Sequence, residues 1–257
     1  TPESTATKPS EVYKPGATLD RTLEYGGKTV PIYRDRPLNV FSDVDFIWTD
    51  EENENRRRLE YLGGEFRTRY GIDVSSFQGE IDWDAVADDN IDFAMVRVGF
   101  RGTGTGSLNT DKYYEQNIRG AMRAGLETGV YFFAQAVTVE EAIEEADYVI
   151  SLLDGLDING PVAYDWEMHD STYRVYGTSP EMATACAVAF CERIKDAGYT
   201  PMVYGGTYVT YMKYDQGALA DYLSWYPEYK SEKSEKLCPT LVYHMDYWQF
   251  SSSRAVA

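Results

Sequence analysis

The sequence is poor in the residues that build metal and thiol sites. Only 2 histidines and 3 cysteines occur among its 257 residues, which argues against a histidine-based metal centre or catalytic triad. Cys186 and Cys191 lie five positions apart in a stretch predicted to be helical, a spacing with poor geometry for a disulfide. We therefore predict a protein without a metal ion or other cofactor.

Basic residues are also scarce, with 24 Lys and Arg against 42 Asp and Glu and a net charge of −18. Such a surface argues against nucleic acid and anionic membranes as partners, because binding phosphate requires a basic face. No apolar run approaches the length that spans a bilayer, so membrane insertion is not predicted. Aromatic residues are plentiful, with 22 tyrosines, which suits stacking on sugar rings but also occurs in proteins without such ligands.

The chain begins with Thr1, and residues 1–10 have the composition of a flexible tether. We interpret the chain as a processed or trimmed product from which a secretion signal has been removed. The expected location is extracellular or associated with the cell wall, and the expected state is a monomer.

The most informative segment is a pair of carboxylates, Asp165 and Glu167, at the end of the apolar run 161–167 (PVAYDWE). In a β-strand, side chains two positions apart point to the same face, with Cα atoms about 6.6 Å apart. Two such acids can cleave a glycosidic bond, although pairs like this also occur by chance on exposed strands. Polar residues 169–171 follow as a loop, so we predict that the acids lie at the carboxyl end of a buried strand.

From Tyr70 onward, strand and helix signals alternate. Strands are predicted at 71–74, 92–98, 129–134, 162–167, 200–204, 222–226 and 247–250, and helices at 112–124, 138–153 and 179–198. The glycine-rich run 102–106 lacks the Lys-Ser/Thr of a phosphate loop and is interpreted as turns. The pattern predicts a parallel sheet with helices outside it.

The region from Tyr70 to the last residue spans about 190 residues, fewer than the roughly 250 of a complete eightfold barrel. We therefore predict an irregular, flattened β/α barrel, similar to a TIM barrel, whose helices are short or missing in the last third. Thr138 and Glu141 form a capping box. The helix that follows should bury one face, formed by Val139, Ala142, Ile143, Ala146, Val149, Ile150 and Leu153.

Residues 1–69 do not follow this pattern and are predicted to form a linker and an arm that packs on the barrel of residues 70–257. Residues 49–52 should cap a short helix that continues through Tyr61. The arginines at 56–58 would pair with neighbouring glutamates at 51, 52 and 54, or contact a partner. The apolar residues expected to pack against the barrel are Val40, Phe41, Phe46, Ile47 and Trp48.

Five segments in order resemble the glycoside hydrolase family 25 lysozymes. They are 70–79 (YGIDVSSFQG) with 81–83 (IDW), 95–102 (MVRVGFRG), 129–134 (GVYFFA), 161–167 (PVAYDWE) and 247–252 (YWQFSS). The resemblance implies an irregular β/α barrel that requires no metal. It also implies an N-acetylmuramidase, an enzyme that cuts the β-1,4 bond between N-acetylmuramic acid and N-acetylglucosamine in bacterial peptidoglycan.

By the same resemblance, Glu167 corresponds to the general acid, which has to hold its proton near neutral pH. Asp165 corresponds to the partner carboxylate, which either attacks the sugar or orients the 2-acetamido group of the substrate; we favour acetamido participation. Asp73, at the end of the first strand, corresponds to a third carboxylate of the active site. Without the resemblance, Asp73 would be interpreted as a turn or capping residue.

Six further residues fall where the family lines its substrate groove: Arg97, Tyr131, Phe133, Tyr204, Trp225 and Trp248. Arg97 could instead form a structural ion pair, and the aromatic residues could belong to the barrel core. Gln135 and Asp246 are weaker candidates. Family members continue past the last segment into a strand with a further active-site Asp, so the chain, which stops at Ala257, is expected to be truncated.

Two other functions fit parts of the pattern. A wall-binding module could hold glycan in the same groove without cleaving it, although all three carboxylates are present. A chitinase-type hydrolase of 2-acetamido sugars would carry a longer Asp-rich run before the glutamate, and residues 161–164 contain no Asp.

Overall fold

The computed structural model describes residues 6–49 and 57–252. The strands are β1 (Leu19–Tyr25), β2 (Lys28–Tyr33), β3 (Phe46–Trp48), β4 (Leu59–Tyr61), β5 (Gly71–Val74), β6 (Phe93–Arg101), β7 (Leu108–Thr110), β8 (Glu127–Ala134), β9 (Val162–Trp166), β10 (Pro201–Tyr204), β11 (Leu223–Pro227) and β12 (Tyr247–Gln249). The helices are α1 (Pro9–Val12), α2 (Trp83–Asp88), α3 (Tyr114–Arg123), α4 (Val139–Leu152), α5 (Pro180–Asp196) and α6 (Thr207–Met212).

Seven parallel strands form the central sheet, in the order β12-β11-β10-β9-β8-β6-β5. The sheet curls into an incomplete barrel, so the prediction of an irregular β/α barrel is confirmed. An eighth strand, β7, pairs antiparallel with β6. It was not predicted, and the glycine-rich run 102–106 is the turn of the resulting hairpin.

Helices cover the outside of the sheet, and α4 shows why they form where they do. The Thr138 hydroxyl accepts a hydrogen bond from the Glu141 backbone N–H at 3.3 Å, which caps the first turn. The predicted face is buried at Val139, Ala142, Ala146, Val149 and Leu153. Ile143 is an exception and is exposed, because it lies at the edge of the apolar stripe.

The last third has few helical residues, as predicted. Helix α6 contains only 6 residues, and no helix separates β11 from β12 among the described residues. Short helix α2 was not predicted. None of the helices within residues 6–49 and 57–252 combines the length and apolar character needed to cross a membrane.

The sheet separates two apolar layers. The larger layer lies between sheet and helices and includes Tyr164 and Trp166 of β9, both fully buried. The smaller one fills the concave side of the curl and includes Ala163 of the same strand with Met202 and Trp225. Because side chains alternate along a strand, Asp165 shares the concave side with Ala163.

The N-terminal residues pack against the barrel at several places, including hairpin β1–β2 and strand β3. Val30 and Ile32 of hairpin β1–β2 are buried in one cluster with Tyr226 and Tyr243. Strand β3 pairs with β4, and Phe46 contacts Trp248 with ring centroids 5.5 Å apart. The division of the chain at residues 69 and 70 stays a prediction.

The helix predicted through Tyr61 is wrong at its described end, because Leu59–Tyr61 is strand β4. Leu59 is buried while Glu60 is exposed, an alternation of period two that favours a strand. The predicted cap residues 50–52, Glu54 and Arg56 lie outside the described residues. Arg58 pairs with Asp89 at 3.1 Å, across the barrel surface.

The concave layer leads to a stability prediction for Gly129 of β8. A Cβ at this position would lie 2.6 Å from Met95 Sδ and 2.8 Å from the carbonyl oxygen of Pro161. Because that backbone oxygen cannot move easily, Gly129→Ala should lower the free energy of unfolding by about 1–3 kcal/mol, measured by urea denaturation.

Gly64→Ala is the matched control, since a Cβ there would meet no described atom within 4 Å. It should leave the urea midpoint within error of the parent. Equal midpoints for both variants would contradict the close packing inferred at Gly129.

Candidate active site

The carboxyl ends of the parallel strands bring most of the predicted site residues together. The strand register places Phe133 of β8 beside Asp165 of β9, and Asp165 beside Tyr204 of β10. Tyr204 in turn lies beside Trp225 of β11. These side chains therefore occupy one level of the sheet, at the edge where parallel barrels carry their functional groups.

Asp165 is the most deeply buried of the three predicted carboxylates, with a relative exposure of 5%. Burial raises the pKa of Asp165 well above its ordinary value, and the neighbouring charges and hydrogen bond of Glu167 and the charge of Asp73 add to this effect. Arg97 opposes it. Oxygen Oδ1 has no hydrogen-bond partner among the described residues. Asp165 thus favours the protonated state.

Asp73 lies at the end of edge strand β5 and is fixed from the opposite edge of the sheet. Its Oδ2 accepts a hydrogen bond from Gln249 Nε2 of β12 at 2.9 Å. Desolvation raises the pKa of Asp73, the Gln249 hydrogen bond opposes that rise, and the charge of Glu167 adds to it. Asp73, Asp165 and Glu167 are therefore close enough to influence one another electrostatically.

Gln249 was not predicted as a site residue, although it lies in the recognised segment 247–252. Its Oε1 accepts hydrogen bonds from the hydroxyls of Tyr204 and Tyr229, each at 3.2 Å. These two bonds orient the amide so that its N–H points at Asp73. No local sequence signal identifies Gln249, since its partners come from three other parts of the chain.

Glu167 follows directly after β9, and its side chain is 25% exposed. Its Oε2 lies 2.8 Å from Nε2 of His169 in the following loop, a residue that the sequence did not identify. The backbone oxygen of Glu167 accepts a hydrogen bond from the side chain of buried Gln135 at 2.8 Å. Gln135, a weak candidate in the sequence, supports the backbone that carries Glu167.

Arg97 of β6 forms the structural ion pair that was one of its two interpretations. Its Nη2 lies 2.8 Å from Oδ2 of Asp111, and the same group donates to Ser76 Oγ at 3.2 Å. Because Arg97 also lowers the pKa of Asp165, it lies near the carboxylates as well. Asp111, buried beneath it, was not predicted.

The inward aromatic residues pack on one another. Trp225 makes edge-to-face contacts with Tyr131, at 5.7 Å between ring centroids, and with Tyr204, at 4.9 Å. Burial raises the pKa of Tyr131 well above its ordinary value, with further contributions from Asp73 and Asp165. These rings form the floor beneath the acids, so the core and groove interpretations apply to the same side chains.

Two predicted residues form their hydrogen bonds with groups other than the three carboxylates. The Trp248 indole donates to the carbonyl of Glu228 at 3.1 Å and packs against Phe46 of the arm. It alternates with the inward Tyr247 and Gln249. Asp246 precedes β12 at the opposite end of the sheet, where it accepts from the Ser224 N–H at 2.9 Å.

A cavity of about 250 Å³ lies between the edge strands β5 and β12. Asp73 and Gln249 line its inner part, and Trp248 and Arg58 lie on its walls. No group of three or more His, Cys, Asp or Glu side chains suited to a metal ion occurs within residues 6–49 and 57–252.

The model of the glycosyl hydrolases family 25 matches residues 72–257. The chain belongs to this family. Among curated relatives, the autolytic lysozyme of Clostridium acetobutylicum is 26% identical over 164 residues, covering 63% of this chain and 46% of the relative. Lysozyme M1 of Streptomyces globisporus is 30% identical over 112 residues, covering 42% of this chain and 36% of the relative. The chain thus spans less than half the length of either relative.

Solved structures share the fold. The family 25 glycosyl hydrolase of Bacillus anthracis superposes with a TM-score of 0.58 at 21% identity, covering 72% of this chain and 79% of that one. The bacterial lysozyme of Streptomyces coelicolor superposes with a TM-score of 0.57 at 23% identity, covering 74% of this chain and 87% of that one. The modular autolysin LytC of Streptococcus pneumoniae superposes with a TM-score of 0.61 at 23% identity, covering 91% of this chain and 55% of that one.

The burial of Asp165 predicts a characteristic pH dependence of stability. Because its pKa is raised on folding, the folded protein holds a proton that the unfolded chain releases near pH 4. The contribution of this group is therefore fully present below about pH 4 and is lost as the pH rises through the folded-state pKa. Asp165→Asn should thus stabilise the protein by about 1–2 kcal/mol at pH 8, with the difference shrinking toward pH 4, measured by urea denaturation.

Asp154→Asn, on the exposed turn after α4, is the control and should follow the parent at every pH. A D165N variant that is less stable than the parent at pH 8 would show that the ionised carboxylate is not strained in this site.

Proposed function

We propose that this chain is a peptidoglycan hydrolase that cleaves the β-1,4 bond between N-acetylmuramic acid and N-acetylglucosamine with retention of configuration. The main support is the cluster of Asp73, Asp165 and Glu167, three mutually interacting carboxyl groups at the carboxyl end of the sheet. Family membership supports the reaction class. Two curated relatives are named lysozymes, and LytC has been solved with a synthetic peptidoglycan ligand.

In the proposed reaction, Asp165 and Glu167 work as a pair on the same side of the strand. Glu167 is the more exposed of the two and, in its acid form, delivers a proton to the glycosidic oxygen as the C1–O bond breaks. Asp165 is then ionised and stabilises the positive charge that develops on the sugar. In the second step, Glu167 takes a proton from the attacking water, which restores the starting state.

We further propose that the 2-acetamido group of the substrate is the nucleophile. Its carbonyl oxygen would attack C1 to form a cyclic oxazolinium, which water then opens at C1, so that configuration is retained. In this route, Asp165 orients the acetamido group and does not itself form a bond to the sugar. Its Oδ1, which has no partner among the described residues, can accept a hydrogen bond from the acetamido N–H.

Asp73 is proposed to position the substrate, with Gln249 fixing its carboxyl group. Tyr131, Phe133, Tyr204 and Trp225 form the aromatic wall of the glycan groove. The proposed place of action is the cell wall, outside the cell, with the glycan strand of peptidoglycan as the partner and the chain acting as a monomer.

The general-acid assignment is tested by Glu167→Gln, which keeps the shape of the side chain and removes its proton. Reducing-end release from purified peptidoglycan should fall at least about 1,000-fold, while pelleting with insoluble peptidoglycan stays unchanged. Glu65→Gln, on the exposed part of the arm, should retain the parent rate.

A rate for E167Q close to that of the parent would show that another group is the acid. A parent protein that binds peptidoglycan without releasing reducing ends would instead be a wall-binding module. Faster release from chitin oligomers than from peptidoglycan would indicate a chitinase-type hydrolase.

Acetamido participation is tested with a soluble glycan in which the 2-acetamido group of the cleaved sugar is replaced by hydroxyl. The parent should lose turnover by at least about 100-fold on this substrate, since the nucleophile is absent. Competition binding to E167Q corrects for any lost affinity. Retained turnover, with a covalent sugar on Asp165 detected by mass spectrometry, would establish direct attack by Asp165.

A further inference from the structure

Phe77 is an apolar ring that the fold presents to solvent just after strand β5, which carries Asp73. It lies on the 3-10 turn Ser76–Gln78, four positions after Asp73. The side chain is 86% exposed, the highest value among the large apolar side chains of the described residues. Single exposed apolar residues are common on protein surfaces, so exposure alone assigns no role.

The ring of Phe77 is held in place by a charged network. The Arg97 guanidinium lies over it, 5.1 Å from the centroid, an arrangement that attracts a cation to an aromatic face. Arg97 is itself fixed by its ion pair with buried Asp111, 2.8 Å away. The backbone N–H of Ser76 also donates a hydrogen bond to Asp111 Oδ2, at 2.9 Å. This bond anchors the turn that carries Phe77.

This network covers one face of the ring and leaves the rest of it exposed. The turn that carries the ring also ends in Gln78, which lines the same cavity as Asp73. A rigid aromatic surface beside a polar cleft suits a ligand with both C–H and hydroxyl groups, which is the surface that a sugar ring presents. Since an ordered ring loses little entropy on binding, it can contribute most of its apolar contact area to affinity.

We propose that Phe77 is a stacking platform for a sugar ring of the glycan strand, adjacent to the ring that is cleaved. The identity of the glycan rests on the function proposed above. Phe77 acts on binding and takes no part in proton transfer. Its removal should therefore weaken the binding of the ground state and of the transition state alike, which raises KM and leaves kcat unchanged.

The test measures binding without cleavage. In the E167Q background, titration calorimetry follows a soluble tetrasaccharide of alternating N-acetylglucosamine and N-acetylmuramic acid. Adding Phe77→Ala should raise Kd about tenfold, because the apolar contact of one aromatic ring is lost. Phe77→Trp should bind at least as tightly as the E167Q parent. Val44→Ala, which trims another exposed apolar side chain, 82% exposed in the arm, should leave Kd unchanged.

In the active background, F77A should raise KM about tenfold and change kcat by less than about twofold. Circular dichroism and the urea midpoint check that F77A folds, and F77W provides a second variant that keeps an aromatic ring. Equal Kd values for E167Q with and without F77A would overturn the proposal, as would an E167Q parent that does not bind the tetrasaccharide. If the wild-type chain releases no reducing ends, the hydrolytic function fails, whereas the binding comparison still decides the role of Phe77.

Discussion

Electrostatic repulsion among buried acids is the constraint on which the rest of this site depends. Asp73 and Asp165 both have a raised pKa, and each is influenced by the charge of Glu167. Burial and this repulsion both favour the protonated forms of Asp73 and Asp165. The proposed cleavage of a glycosidic bond would use acid groups of this kind.

The surrounding structure limits this destabilisation without removing it. Arg97 provides a positive charge near Asp165, but its ion pair with Asp111 prevents it from neutralising the cluster directly. Gln249 gives Asp73 a hydrogen bond instead of a counter-ion. The aromatic floor of Tyr131, Tyr204 and Trp225 keeps water out from below. Such an arrangement sacrifices stability at a functional site, which the large apolar layer between sheet and helices can tolerate.

Local patterns in the sequence predicted most of the barrel. The apolar run before Asp165 predicted that this residue lies at the carboxyl end of a buried strand, and every residue of β9 is buried. The capping box at Thr138 and the apolar face behind it located α4. The helix predicted through Tyr61 failed because β4 is too short for its alternation to outweigh the charged residues before it.

The contacts that were not predicted join distant parts of the chain. Gln249 meets Asp73 across 176 positions of sequence, and Arg97 meets Asp111 through a hairpin whose strand β7 was not recognised. Trp248 was assigned to the groove because it lies in a recognised segment; its ring packs on Phe46 of the arm, and it also lines the cavity that contains Asp73. The family resemblance predicted the acids, and the fold shows which neighbours contact them.

The sheet is not closed by a backbone ladder between β5 and β12 within the described residues. Side chains bridge the gap instead, through Gln249 with Asp73 and through Tyr247 with Phe93 and Glu127. Side-chain bridges are softer than a ladder of backbone hydrogen bonds, so the width of this opening can change while the remaining strands keep their register. Asp73 lies on edge strand β5 beside this opening, whereas Asp165 and Glu167 belong to central strand β9 and the residue after it, so a change in width would move Asp73 relative to the other two acids.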